Sequence, residues 1–286
     1  MSLKLRYSLH EGTPVTIALG ILCDDGLVIG ADTEQTAPGY FKMGGSKIHS
    51  FYNEPWVKEG RKMPGAVCTI TGAGPTEYVT AITEKLGEAF LRAVSNDVEI
   101  GGIGSVFEDV LKQFHAENIL PFSGYPQQPD IWLILGAELY GHRALWVTEK
   151  TVIRKTTDYD AYRYVAVGMG NLFAKGLFAR LYRPSGMKSA VLLAAHILNE
   201  AKTWIPDCGK DTQIVCIKGR DWPLLPEDIA KIEKLLYGPN SLEAVEQKTT
   251  HYIFGTKGYS DKSELLAMQD SVRNEFELIT KGWSWA

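Results

Sequence analysis

The sequence predicts an α+β protein in which helices cover the outer faces of two β-sheets. Three observations carry this prediction. Short apolar segments bounded by turn residues open the chain and indicate strands, whereas later segments repeat their apolar residues at helical spacing. The elements also follow the order strands, two helices, strands, two helices and strand. That order favours a layered sandwich over a doubly wound fold, in which single strands and helices alternate.

The chain opens with a predicted β-hairpin. Segments 16–23 and 27–33 are apolar and are separated by Asp24-Asp25-Gly26, where glycine provides the positive φ of a tight turn. Both segments are apolar at almost every position, so both faces of their sheet should be covered. Two further strands are expected, over residues 46–51 and 66–71.

Helical spacing begins after Pro75, which is placed to start a helix. Tyr78, Ile82, Leu86 and Phe90 recur along one face of this helix, and a second helix follows it. The remaining predicted elements are strands at 131–137, 144–148 and 164–167, helices at 172–182 and 187–204, and a strand at 212–217. Residues 218–286 are predicted to be a helical C-terminal extension of the main domain (16–217), with helices at 226–237 and 262–281.

Composition excludes several classes of function. The 286 residues include 30 basic and 34 acidic side chains, a balance that gives no electrostatic reason to expect nucleic acid or a membrane as partner. Four cysteines without a CxxC pair indicate buried thiols in a reducing compartment. No apolar segment has signal-peptide or membrane-spanning length. We therefore expect a cytoplasmic protein without cofactor or metal.

Three residues form the candidate site: Thr16 begins the first strand, Asp32 ends its partner and Lys47 starts the third. No nucleotide-phosphate loop, HExxH zinc motif or Gly-x-Ser-x-Gly elbow is found in the sequence. The stretches TIALGILCDDGLVIGADTEQT and SKIHSF resemble the opening of a proteasome β-type subunit, an N-terminal nucleophile hydrolase. The resemblance continues through ITGAGP, VAVGMG and DTQIVCI and covers about residues 14–217. It implies a four-layer αββα sandwich.

The resemblance also implies a role for each residue. Thr16 would be the nucleophile after removal of residues 1–15, because its free α-amine could then accept the hydroxyl proton. Lys47 would favour formation of the alkoxide, and Asp32 would keep Lys47 charged and oriented. A backbone N–H in the turn expected at 71–74, that of Gly72, would stabilise the oxyanion.

Other positions depart from the family pattern. Met169 stands where the family has a serine, and Cys208 replaces another serine, while Asp207 could substitute for an aspartate of that segment. A Gly-Thr junction, the usual processing site, makes Thr13 an alternative nucleophile. Strand register favours Thr16, because a slip would move the hydroxyl away from the site.

By this resemblance the protein is a threonine hydrolase that cleaves peptide or other amide bonds within a homo-oligomeric ring. Its substrates would be peptides or unfolded proteins, and an ATP-dependent unfoldase would be a partner. Two alternatives remain open. In the first, the chain is a non-catalytic structural subunit that is never processed. In the second, it is an amidase or acylase of the same fold that acts on small molecules.

Overall fold

The structure, a computed structural model, describes residues 16–37, 41–53, 56–58, 61–63, 65–124, 129–156, 163–183, 186–205, 208–237, 241–242, 244, 262–281 and 283. Over these residues the protein is a mixed α+β protein. Its strands are β1 (Ile17–Leu22), β2 (Leu27–Asp32), β3 (Glu34–Ala37), β4 (Phe41–Gly44), β5 (Ile48–Asn53), β6 (Trp56–Lys58), β7 (Arg61–Met63), β8 (Ala66–Ala73), β9 (Trp132–Leu139), β10 (His142–Glu149), β11 (Val152–Thr156), β12 (Tyr164–Gly168), β13 (Thr212–Ile217) and β14 (Asp221–Pro223). The α-helices are α1 (Thr76–Ser95), α2 (Ile100–Asn118), α3 (Asn171–Leu181), α4 (Met187–Trp204), α5 (Pro226–Tyr237) and α6 (Lys262–Lys281).

Two five-stranded antiparallel sheets form the centre of the fold. The first sheet has the order β12-β1-β2-β13-β14, and the second has the order β11-β10-β9-β8-β5. Two short hairpins, β3–β4 and β6–β7, complete the described strands. Every residue of β1 and β2 is buried, which confirms that both faces of this predicted hairpin are covered.

Alternate residues of the strands pack on different neighbours. In β2, Val28 joins a cluster with Phe178 and Leu198 of the helices α3 and α4, whereas Ile29 joins Ile134 of the second sheet. This alternation follows from the two-residue period of a strand. On the second sheet a separate cluster contains residues of α1 and α2. Each fully buried large side chain contributes about 1.5–3 kcal/mol relative to exposure.

The C-terminal extension packs against the helices of the first sheet. Ile229, Ile232 and Leu236 of α5 and the distant Trp283 belong to the same buried cluster as α3 and α4. Helix α6 contacts α5 through a smaller cluster. The extension therefore shares the apolar core of the first sheet.

Several sequence predictions are confirmed and others need correction. Helices α4, α5 and α6 have the predicted bounds, and all four cysteines are buried and free. The hairpins β3–β4 and β6–β7 and the strands β11 and β14 were not predicted, because these short segments lack a continuous apolar pattern. Of the helices that the structure describes, none has the length and apolar character needed to cross a membrane.

Candidate active site

The structure brings Thr16, Asp32 and Lys47 together. Strands β1 and β2 are antiparallel neighbours, so Thr16 before β1 and Asp32 at the end of β2 lie at the same end of the first sheet. Lys47 directly precedes β5 and reaches them from the second sheet. Thr16 and Asp32 are buried, and the Lys47 side chain is only 9% exposed.

The Asp32 carboxylate accepts hydrogen bonds from four groups. Its Oδ1 accepts from the Thr16 hydroxyl, from Lys47 Nζ at 2.8 Å and from the backbone N–H of Ile17 at 3.2 Å. Its Oδ2 accepts from the backbone N–H of Gly209 at 3.1 Å. A fully buried carboxylate is stable only with such partners, because burial removes its hydration.

Lys47 contacts both the hydroxyl and the carboxylate. Its Nζ donates to Thr16 Oγ1 as well as to Asp32, and its backbone N–H donates to Gln213 Oε1 at 3.0 Å. Burial lowers the pKa of Lys47 below the ordinary lysine value, and the charge and hydrogen bond of Asp32 oppose this shift only in part. The amine beside the Thr16 hydroxyl therefore releases a proton more readily than an exposed lysine does.

The end of β12 fits closely against the backbone of Thr16. Gly168 pairs with Ile17 and has a φ of +88°, and a Cβ at this position would lie 2.2 Å from the Thr16 carbonyl oxygen. Only glycine satisfies both the conformation and the close approach. The backbone N–H of Gly170 also donates to this carbonyl oxygen at 3.5 Å. These contacts were not predicted from the sequence, although the VAVGMG motif contains both glycines.

Gly72 lies in a different setting from the one predicted. The expected turn at 71–74 is wrong, because β8 continues through Ala73 and Gly72 pairs with Leu133 of β9. A Cβ on Gly72 would lie 2.6 Å from the carbonyl oxygen of Trp132, so glycine is needed for the close packing of these strands.

The other candidate residues differ in their placement. Met169 follows Gly168 and is 36% exposed. Cys208 is buried and lies near enough to Lys47 to favour the charged form of the lysine. Thr13 and Asp207 lie outside the described residues. Within the described part of the chain, no group of three His, Cys, Asp or Glu side chains is placed to hold a metal ion.

The protein thus has two antiparallel sheets with flanking helices and a buried threonine–aspartate–lysine cluster at one end. Several solved structures have a similar fold. Anbu from Yersinia bercovieri, an ancestral beta-subunit, superposes with a TM-score of 0.63 at 12% identity over 87% of this chain and 100% of that chain. Anbu from Hyphomicrobium sp. strain MC1 superposes with a TM-score of 0.60 at 15% identity over 86% and 100%. The helical assembly of the Anbu complex from Pseudomonas aeruginosa gives a TM-score of 0.63 at 12% identity over 87% and 99%.

These similarities show that the chain has a proteasome-like fold of the Anbu type. The matched share of the chain exceeds residues 16–217, so it includes part of the C-terminal extension. No protein-family model and no curated protein matches the sequence.

Proposed function

We propose that this protein is a proteasome-like threonine hydrolase that cleaves peptide or other amide bonds, with Thr16 as the nucleophile after removal of residues 1–15. The observation that carries the proposal is the simultaneous contact of the buried Thr16 hydroxyl with Asp32 and Lys47. The clusters between helices and sheets and between the two sheets support the finer interpretation of the fold as a four-layer αββα sandwich.

In the proposed reaction, each of these contacts has a role. The Thr16 hydroxyl attacks the substrate carbonyl, and its proton passes to the free α-amine, or to Lys47 once that side chain has lost its own proton. The tetrahedral intermediate then collapses as the amine product leaves with a proton, and water hydrolyses the resulting threonine ester. Asp32 keeps Lys47 beside the hydroxyl throughout. The lowered pKa of Lys47 supports its part in this proton transfer.

Gly72 remains the proposed oxyanion donor, on a different structural argument. In the β5–β8 pair Ile48 lies opposite Thr71, so that an extension of the same register by one residue places Lys47 opposite Gly72. The backbone of Gly72 would thus border the lysine of the site. Its N–H is fixed by a strand, and a fixed donor needs no reorganisation when charge develops on the oxygen.

We propose a homo-oligomeric ring as the working form, with peptides or unfolded proteins as substrates and an ATP-dependent unfoldase supplying them. Leu172 on α3 is 78% exposed and Trp204 on α4 is 67% exposed, and Leu181 is also exposed. Large exposed apolar side chains on neighbouring helices are typical of a surface that other subunits cover. A reducing compartment such as the cytoplasm would keep the four cysteines free.

The test combines intact mass with labelling by an electrophilic peptide probe. Loss of residues 1–15 and a covalent adduct on Thr16 are expected for the wild-type protein, whereas Thr16→Ala should give neither. Thr16→Ser, which keeps a hydroxyl, should retain labelling. A full-length mass with no adduct in the assembled protein would overturn the proposal and favour a structural subunit. Loss of only residues 1–12 would move the nucleophile to Thr13.

Sedimentation velocity at micromolar concentration distinguishes the proposed ring from the remaining alternative, a small-molecule amidase of the same fold. A ring with peptide turnover is expected, and Leu172→Lys should disrupt the ring. A monomer would contradict ring assembly. A dimer that turns over small amides but no peptides would instead favour the small-molecule amidase.

A further inference from the structure

A polar network joins the C-terminal extension to the strand that lies beside Asp32. Lys202 Nζ of α4 donates to Thr212 Oγ1 of β13 at 2.7 Å and to Glu233 Oε1 of α5 at 3.0 Å. The Thr212 hydroxyl donates to the same Glu233 oxygen at 3.1 Å. The side chains of Lys202 and Glu233 are 15% and 30% exposed, so both charges are largely shielded from water.

The network lies next to the candidate site because of the strand register. Thr212 pairs directly with Asp32 across β2 and β13. Directly opposite residues of an antiparallel pair project from the same face, with their Cβ atoms about 4.5–5.5 Å apart. Thr212, which accepts a hydrogen bond from the Lys202 ammonium, is therefore a direct cross-strand neighbour of Asp32. Lys47 approaches the same carboxylate from the second sheet.

Attachment of the extension does not depend on this ion pair. Ile229, Ile232 and Leu236 already hold α5 in the apolar core, and a partly exposed ion pair adds little stability by itself. The two charges nearly cancel while the pair is intact, but removal of either one would leave an uncompensated charge near a buried carboxylate, and charge interactions weaken only gradually with distance.

The geometry points to Glu233 as a positioning residue of the Thr16 site, which neutralises the Lys202 charge next to Thr212 and so keeps that charge from lowering the pH at which Thr16 becomes reactive. This inference rests on the proposed hydrolase function. Three groups act directly on Lys47: Asp32 of β2, Glu34 of β3 and Cys208 before β13. All three favour the charged lysine, so a net positive charge near Thr212 would act against them.

Two single variants test the inference through the sign of a shift. Glu233→Gln leaves Lys202 uncompensated, which disfavours the protonated form of Lys47 and of the Thr16 α-amine. The pH midpoint of Thr16 labelling should move down by roughly half a unit. Lys202→Met removes the positive charge and should move the midpoint up by a similar amount. The double variant should return close to the wild-type midpoint.

Lys231→Met is the matched control, because it breaks the Lys231–Asp228 ion pair on the same helix, where the Lys231 side chain is 55% exposed. It should leave the midpoint unchanged. If Lys202 and Glu233 have a purely structural role, both test variants should lower Thr16 labelling without moving its pH midpoint, or should move the midpoint in the same direction. Either result would overturn the inference.

A second measurement separates failure of this inference from failure of the proposed function. If wild-type Thr16 is not labelled at all, the hydrolase proposal fails, and a thermal double-mutant cycle between Lys202→Met and Asp32→Asn then decides on the charge coupling. Non-additive changes in melting temperature support coupling between the two sites. Additive changes, and likewise additive changes for Glu233→Gln with Asp32→Asn, would refute it.

Discussion

Replacing Asp32 by alanine tests how strongly the fold depends on the buried cluster. The change removes the acceptor for the Thr16 hydroxyl, the Lys47 ammonium and the N–H groups of Ile17 and Gly209. Lys47 is left as a buried cation without its counter-ion. Breaking a buried pair in this way costs about 3–5 kcal/mol in free energy of unfolding.

Thermal unfolding followed by circular dichroism at neutral pH measures this cost. For a chain of this size each 1 kcal/mol shifts the melting temperature by about 2–4 °C, so Asp32→Ala should melt roughly 6–20 °C below the wild type. Glu88→Ala is the control, since its partner Arg92 and Glu88 itself are both about two-thirds exposed. That change should cost less than about 1 kcal/mol.

The double variant Asp32→Ala with Lys47→Met identifies the cause of the loss. It removes the unpaired cation as well as the carboxylate, so it should recover part of the stability that Asp32→Ala loses. A melting temperature for Asp32→Ala within about 2 °C of the wild type, which is less than 1 kcal/mol, would refute the description of this site as a buried charge network. A double variant less stable than Asp32→Ala would show that Lys47 stabilises the fold by packing alone.

Three further predictions concern Lys47, Gly168 and Ile232. Burial lowers the pKa of Lys47 in the folded state below the ordinary value of 10.5, so at a pH between these two values the unfolded chain binds more protons than the folded protein. The free energy of unfolding of the wild type, measured in urea relative to Lys47→Met, should therefore rise between pH 7 and 10. A constant difference between the two proteins would contradict this. Gly168→Ala should lower stability more than Gly141→Ala, because both glycines have positive φ but only Gly168 lies against the Thr16 backbone, and it should also reduce Thr16 labelling. Ile232→Ala should cost about 2–5 kcal/mol in urea unfolding if α5 is part of the main core, and a negligible change would show that the extension is only loosely attached.

The position of a site residue could be predicted where it depends on residues that are close in the sequence. Thr16 and Asp32 flank one hairpin, so the turn at Gly26 and the apolar segments were enough to place them together. The N–H of Gly209 reaches Asp32 only through the pairing of β2 with β13, 177 residues away along the chain. No local pattern in a single sequence encodes that pairing.

Gly72 shows why the local structure around a glycine is hard to predict from a single sequence. A glycine cluster between a strand and a helix is typical of a turn, yet β5 and β9 pair on both sides of β8 and extend it to Ala73. Lys202 and Glu233 were missed for a related reason. Each lies on an amphipathic helix where charged residues are ordinary, and only the packing of α4 against α5 brings them together.

The hydrogen-bond donors around Asp32 are residues that lie far apart in the sequence. Thr16, Ile17, Lys47 and Gly209 come from three separate parts of the sequence, and the last is translated nearly two hundred residues after the first. A nascent chain that still lacks residue 209 cannot complete the shell around this carboxylate. The Thr16 hydroxyl thus acquires its full surroundings only after residue 209 has been synthesised and β13 has paired with β2.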